Sequence, residues 1–151
     1  FYEDSSYSLD KLLGISSKLA KAQKKHVWLK SGGSLVIEPT EALTVIDVNT
    51  QKAVAGKRNS ETTFFKLNME AAREAARQIR IRNISGIILI DFIDMKEKSK
   101  IRALLQELEN AFLNDQVKTT VVDITRLGLV EITRMKVRKP LSAFCIKDSY
   151  E

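Results

Sequence analysis

Cysteine and histidine are almost absent from this 151-residue sequence, which has one of each, Cys145 and His26. A single cysteine excludes an internal disulfide and a structural zinc site within one chain, so zinc is not expected. It is consistent with a reducing, cytoplasmic setting. One histidine excludes a pair of histidines acting as acid and base, and thiol-protease chemistry lacks support.

The sequence also lacks long apolar runs and contains only two prolines, six glycines and one tryptophan. No run approaches the roughly 20 apolar residues of a membrane-spanning helix, so no membrane segment is expected. The hydrophobic fraction of 44% indicates a globular domain with a full core. Few aromatic residues for sugar stacking argue against a glycosidase. The chain begins with Phe1 and not Met, as we expect of an excised fragment.

The charge is unbalanced, with 25 basic against 19 acidic residues and a net charge of +6. A basic chain favours a polyanionic partner, nucleic acid first, although the charge says nothing about the fold.

Two apolar segments each end in an aspartate. Residues 86–90 are a glycine and four consecutive aliphatic residues, followed by Asp91 and Asp94, and this pattern predicts a central strand buried on both faces. Residues 43–46 lead to Asp47, with Asn49 two positions later on the same side of the strand. The helix between these strands predicts a right-handed crossover that leaves them parallel, either adjacent or one apart.

The remaining patterns complete an α/β fold, a mixed sheet with flanking helices. The spacing of apolar residues and the positions of turn residues predict helices at 8–23, 59–82 and 97–114, a hairpin at 26–38, and strands at 119–124 and 129–133. Gly32 and Gly33 are interpreted as the hairpin turn and not as a phosphate loop, because no helix follows.

The helix at 59–82 has two distinct faces. Its predicted core stripe is Phe65, Met69, Ala72, Ala76 and Ile79. Its arginine row is Arg73, Arg77 and Arg80, which we expect Glu70 and Glu74 to neutralise in part through i, i+3 pairs. A solvated face is the default interpretation of this row, and contact with RNA or a partner subunit is the alternative.

The aspartates suit a hard metal ion. Mg²⁺, which Mn²⁺ can replace, takes oxygen ligands from one or two carboxylates and from substrate phosphates, and Asp47 and Asp91 match that donor set. Asn49 is expected to donate to a phosphate oxygen or to orient an aspartate. Asp94 is either a group behind the metal ligands or a cap for the next helix. Strand-end aspartates are common in α/β folds, so this pattern alone leaves the metal site open.

Residues 50–60 leave directly from Asn49 and carry Lys52, Lys57 and Arg58. Because binding residues concentrate on loops at strand ends, these cations are candidates for RNA binding. A clamp on phosphate and a mobile surface loop are equally consistent with the composition.

Several collinear motifs resemble the ribonuclease E/G family. They are SGGSLVI (31–37), TEALTVIDVN (40–49), NMEAA (68–72), RQIRIR (77–82), GIILIDFIDM (86–95) and ITRLGLVEITR (124–134). The resemblance implies a Mg²⁺-dependent endoribonuclease that cuts single-stranded, often A/U-rich RNA to leave a 5′-phosphate and a 3′-hydroxyl. It assigns metal binding to Asp47 and Asp91, phosphate contact to Asn49, and a basic position of the family to Lys118.

The resemblance also implies a division of the chain. Residues 1–22 correspond to the last helix of an RNase H-like subdomain, residues 23–139 to a DNase I-like catalytic subdomain, and residues 140–151 to a tail leading toward an absent zinc-binding element. Without the family's other modules we expect feeble cleavage. Two other functions stay open. One is a non-catalytic module that binds RNA or assembles subunits, for example into a homo-oligomer. The other is a metal phosphodiesterase acting on DNA.

Overall fold

A six-stranded mixed sheet is the framework of the computed structural model, which describes residues 3, 6–50 and 61–144. The strand order is β1-β2-β3-β4-β6-β5, and among these strands β3 and β4 form the parallel pair. The predicted α/β fold is therefore confirmed, and the two aspartate-bearing strands are direct neighbours. The strands are β1 (His26–Trp28), β2 (Ser34–Pro39), β3 (Leu43–Asn49), β4 (Gly86–Asp91), β5 (Thr119–Ile124) and β6 (Leu129–Arg134).

Two long helices, α3 (Glu61–Ile81) and α4 (Lys98–Phe112), accompany the sheet. Two short helices, α1 (Leu9–Leu13) and α2 (Ile15–Ala22), precede it, and a 3₁₀ helix (Leu141–Phe144) follows it. None of the described helices has the length and hydrophobicity that crossing a membrane requires.

The single helix predicted over residues 8–23 is wrong, because Gly14 divides it. Gly14 has a φ of 60°, a left-handed conformation that glycine adopts without steric cost and that ends α1. Ser8 caps α1, since its side-chain oxygen accepts a hydrogen bond from the backbone N–H of Lys11. Leu12 and Leu19 are 55% and 42% exposed, and neither α1 nor α2 contributes a buried residue to the core.

The core lies on one side of the sheet. Ile88 and Ile90 of β4 are fully buried, whereas Ile87, the residue before Ile88, is 51% exposed. The prediction that β4 is buried on both faces is wrong, because α3 and α4 both contribute their buried residues to the same core as Ile88 and Ile90. The alternate side chains of the strands face a surface that these helices leave open, and we call it the open face.

The core-facing stripe of α3 is confirmed in part. Ala72, Ala76 and Ile79 are fully buried as predicted, whereas Phe65 and Met69 are only partly buried. The buried face also includes Leu67, Asn68, Ala71 and Ala75, which the prediction left out. Small side chains let helices approach one another closely, and α3 packs extensively against α4.

A buried ion pair holds the amino end of β4 in place. Arg134 of β6 donates from Nε to Asp115 Oδ2 at 2.8 Å and from Nη2 to Asp115 Oδ1 at 3.1 Å. Its Nη1 donates to Asn83 Oδ1 at 2.9 Å and to the Ile84 carbonyl at 3.0 Å. Burial alone would raise the pKa of Asp115, but hydrogen bonds from Arg134, Val117 and Thr119 hold that pKa below its ordinary value. The network joins β6 to the segments that lead into β4 and β5.

We predict that Arg134→Met costs about 3–5 kcal/mol in the free energy of unfolding, because it leaves the Asp115 carboxylate buried without its cation. The side chains of this pair are only 3% and 5% exposed, so water cannot replace the lost partner. Urea unfolding measures the change. The double variant Arg134→Met/Asp115→Leu should recover most of the stability, and a cost under about 1 kcal/mol for the single variant would contradict the buried-pair argument.

Candidate metal centre

The register of β3 and β4 places Asp47 directly beside Asp91. The parallel ladder pairs Leu43 with Ile87 and continues residue by residue to Asp47 and Asp91, at the carboxyl end of β4. Neighbouring strands lie about 4.8 Å apart, and registered side chains point to the same face. The two carboxylates therefore share one site on the open face. Asp47 is half-buried and Asp91 is exposed.

Asn49 lies on the same face as Asp47 and fixes its orientation. The side-chain amide of Asn49 donates from Nδ2 to Asp47 Oδ2 at 2.8 Å. Of the two roles expected for Asn49, the structure shows the orienting contact. The Oδ1 atom of Asp47 and the carbonyl oxygen of the Asn49 side chain are not used by this bond, so both remain potential ligands or acceptors.

The local electrostatics favour a cation between the strands. Partial burial, together with the negative charges of Asp47 and Asp94, raises the pKa of Asp91. Carboxylates that share a site disfavour one another's ionised form, and a bound cation removes that penalty. Asp94, three residues after Asp91 in the chain, makes the smallest of these contributions.

Asp94 is not the cap of the next helix. The residue that precedes the first turn of α4 is Glu97, without a side-chain capping bond. Asp94 instead faces the β5–β6 turn, where a Cβ built on Gly128 would be 3.8 Å from Asp94 Oδ1. The capping interpretation of Asp94 is therefore wrong, and its position behind the metal ligands stays a prediction.

Asn68 of α3 holds the segment between Asp91 and Asp94, and no role was predicted for it. Its Nδ2 donates to the Ile93 carbonyl at 2.8 Å, and its Oδ1 accepts from the Ile93 N–H at 3.1 Å. This two-way bond to one residue positions the backbone between the two aspartates. The available signal in the sequence was a polar residue between buried positions of an amphipathic helix.

The turn between β1 and β2 packs against the backbone of Asn49. Ser34 pairs with Asn49 in the antiparallel ladder, and a Cβ built on Gly33 would lie only 2.9 Å from the Asn49 carbonyl oxygen. A side chain larger than glycine therefore cannot be accommodated at residue 33 without movement of the strand that carries Asn49. The glycine turn has a structural role, consistent with its predicted hairpin.

Of the four predicted RNA-binding cations, the structure describes Lys118. Lys52, Lys57 and Arg58 lie outside the described residues. Lys118 precedes β5 at the end where Thr119 pairs with Arg134 and Arg134 with Gly86, which is the opposite end of the sheet from Asp91. Contact of Lys118 with a phosphate between Asp47 and Asp91 does not fit this placement. Contact with a distant part of a long RNA remains compatible with it.

The donor set fits a hard divalent ion that completes its shell with water and substrate. Within the described part of the chain, no group of three or more His, Cys, Asp or Glu side chains is arranged to hold a metal. Asp47 and Asp91 supply oxygen ligands from only two residues. This is the pattern of Mg²⁺ sites that use one or two carboxylates with substrate phosphates, and not of a closed protein cage.

Comparison with known proteins identifies the family. The sequence model of the "Ribonuclease E/G family" matches residues 1–137. Ribonuclease G of Escherichia coli K12 is 45% identical over 130 residues, which cover 86% of this chain and 26% of that protein. Ribonuclease G of Haemophilus influenzae is 47% identical over 128 residues (85% and 26%). A chloroplastic ribonuclease E/G-like protein of Arabidopsis thaliana is 42% identical over 146 residues (96% and 14%).

The chain thus spans about a quarter or less of the length of these curated relatives. The matched segment includes both strands that carry the carboxylate pair, and the family model covers more than half of the chain. The chain belongs to the ribonuclease E/G family.

Proposed function

We propose that this chain contains the hydrolytic centre of a Mg²⁺-dependent endoribonuclease acting on single-stranded RNA in RNA processing and decay. The observation that carries the proposal is the registered Asp47–Asp91 pair on the open face. Membership of a ribonuclease family supports RNA as the substrate. The net charge of +6 supports a polyanion in general.

Each residue of the site has a defined task in this mechanism. Asp47 and Asp91 hold the cation, and Asn49 keeps the Asp47 carboxylate in its binding orientation through the 2.8 Å bond. When bound, Mg²⁺ supplies Lewis-acid stabilisation of charge on the phosphate and activates water for attack. Asn68 positions the backbone between Asp91 and Asp94 through both of its bonds to Ile93.

The outcome of the reaction follows from the direction of attack. Water attacks phosphorus and displaces the 3′-oxygen of the upstream nucleotide. The downstream product then carries a 5′-phosphate and the upstream product a 3′-hydroxyl. The ribose 2′-hydroxyl takes no part in this step, so the chemistry needs no histidine pair. The one histidine, His26, is in the edge strand β1, two strands away from Asp47.

We predict that Asp47→Asn/Asp91→Asn abolishes binding of Mn²⁺ and Mg²⁺ in calorimetry and lowers RNA cleavage by about 10³-fold or more, since metal catalysis contributes several kcal/mol. Mn²⁺ is the more sensitive probe because it binds such sites more tightly than Mg²⁺. The substrate is an A/U-rich single-stranded RNA oligonucleotide, and ligation of the downstream product tests for its 5′-phosphate.

The matched control is Glu109→Gln/Asp123→Asn, which removes the same charge from exposed positions outside the site. It should bind Mn²⁺ and cleave RNA like the parent chain. Equal Mn²⁺ binding by the parent and the Asp47→Asn/Asp91→Asn variant would contradict the metal site. RNA binding with no metal-dependent cleavage by the parent would favour the non-catalytic RNA-binding module, and equal cleavage of DNA would favour a general phosphodiesterase.

We also predict that Asp91→Asn raises the thermal unfolding midpoint of the metal-free chain at pH 7. Because the pKa of Asp91 is raised from 3.8 in the folded state, the folded chain binds this proton more tightly than the unfolded chain. Stability then falls as the pH rises from that value through the folded-state pKa, and stays lower above it. Asparagine removes this penalty, so its advantage should disappear below about pH 4, where aspartate is protonated.

The same midpoints measured with added Mg²⁺ separate charge repulsion from packing. Mg²⁺ should raise the midpoint of the parent chain by preferential binding to the folded state and leave that of Asp91→Asn nearly unchanged. A lower midpoint for Asp91→Asn than for the parent without metal at pH 7 would contradict the repulsion argument. Asp123→Asn is the control for removal of one exposed carboxylate.

A further inference from the structure

A groove of about 930 Å³ lies between β1 with its following turn and the helix α3. We call it the β1–α3 groove, and its lining includes Trp28, Lys30, Lys66, Glu70 and Arg77. None of these residues belongs to the carboxylate site described above. The groove is open to solvent along one side of the sheet.

The groove reaches the same end of the sheet as the carboxylate site. Trp28 pairs with Ser34, and Ser34 pairs with Asn49, so these three residues form one row across three strands. With strands about 4.8 Å apart, the backbone of Trp28 is roughly 10 Å from that of Asn49. Trp28 is therefore on the same face as Asn49 and also lines the groove, so a polymer held between Asp47 and Asp91 can pass around the edge strand β1 at Trp28 into the groove.

The acidic residues of the groove are already committed to contacts within the fold. Glu70 accepts from the backbone N–H groups of Lys30 at 2.7 Å and Ser31 at 3.2 Å, which fixes the turn against α3. This use of Glu70 corrects the expected i, i+3 pair with Arg73, which pairs with Glu107 instead. Glu74 forms its predicted pair with Arg77 at 2.7 Å.

The net charge of the residues that line the groove is positive. The lining contains Lys30, Lys66, Arg73 and Arg77 against Glu70 and Glu74. Lys30 and Lys66 are exposed, and the ion pairs found among the described residues include neither of them. Cations that the fold does not neutralise are available to a polyanion, and the release of its counterions drives such binding.

Trp28 adds an aromatic surface to these cations. It is 61% exposed, although tryptophan is usually well buried. Proteins that bind single-stranded nucleic acid combine a basic groove with exposed aromatic side chains on which bases stack. Among the possible occupants of a groove, single-stranded RNA is the one that uses both the indole ring and the unpaired lysines.

We propose that the β1–α3 groove binds the single-stranded RNA next to the cleaved bond, with one base stacked on Trp28 and phosphates contacted by Lys30 and Lys66. This inference rests on the proposed function, because it takes RNA as the substrate. It assigns to the described part of the chain an RNA contact surface that is separate from the metal ligands.

The test uses Trp28 as its own reporter, since it is the one tryptophan of the 151-residue chain. A single-stranded A/U-rich RNA is titrated in buffer with a chelator, so that no cleavage occurs. Binding is followed by tryptophan fluorescence and by anisotropy of a label on the RNA. We expect saturable quenching of Trp28 with the same midpoint as the anisotropy change.

Variants separate stacking from charge. Trp28→Ala should weaken binding by about 5- to 100-fold, and Trp28→Phe should recover most of it. An abasic oligomer with the same number of phosphates should bind the parent and Trp28→Ala equally, which a merely structural role of Trp28 does not predict. Lys30→Glu/Lys66→Glu should weaken binding more than the matched control Lys18→Glu/Lys136→Glu, whose positions are also exposed.

The inference is overturned if RNA binds with no change in Trp28 fluorescence, or if Trp28→Ala binds as tightly as the parent. Binding weaker than about 10⁻⁴ M, the weak end of non-specific affinity, also overturns it. Quenching by a protein segment but not by RNA would assign the groove to a protein partner. Because no metal is present, these results are independent of cleavage, so failure of the groove and failure of the Asp47–Asp91 centre are distinguishable.

Discussion

The parallel pairing of β3 with β4 forces two carboxylates into one site, and much of the surrounding structure is arranged around that repulsion. Parallel register leaves Asp47 and Asp91 side by side. The described hydrogen bonds include a donor to Asp47, from Asn49, and none to Asp91, whose pKa is raised. Where the repulsion between carboxylates is not offset within the free chain, binding of a cation is most favourable, because it removes that repulsion.

The aspartates at the two ends of the sheet are in opposite electrostatic environments. At the amino end of β4, Asp115 is buried yet fully satisfied by Arg134 and its neighbours, and its pKa is lowered. At the carboxyl end, Asp91 is exposed yet its pKa is raised by partial burial and two like charges. The first arrangement stabilises the fold and needs no ligand. The second costs stability in the free chain, which is the usual sign of a functional site.

Local patterns predicted the elements and the parallel direction of β3 and β4, but not which strands are neighbours or which face the helices cover. The aspartates that end residues 43–47 and 86–91 predicted two carboxylates at the same end of the sheet, because parallel strands bring their carboxyl ends together. The structure adds that the two strands are direct neighbours with Asp47 beside Asp91. The one-sided burial of β4 was not predictable, since a run of aliphatic residues does not reveal which face a helix covers. The role of Asn68 was missed because its partner, the backbone of Ile93, lies 25 positions away in the sequence and a local pattern does not reveal such a contact.

The carboxylate pair and the basic groove depend on one another in this view of the chain. Two unpaired carboxylates repel a phosphodiester, and the cation that offsets them is held by few protein ligands, so its affinity rises when a phosphate oxygen joins its shell. By linkage, RNA must then bind more tightly when the cation is present, by the same factor. A groove that anchors RNA through Trp28 and Lys66 raises the local concentration of phosphate at Asp47 and Asp91 without touching the metal ligands. Substrate binding and metal binding are therefore thermodynamically linked, and the pairing of β1, β2 and β3 places both sites at the same end of the sheet.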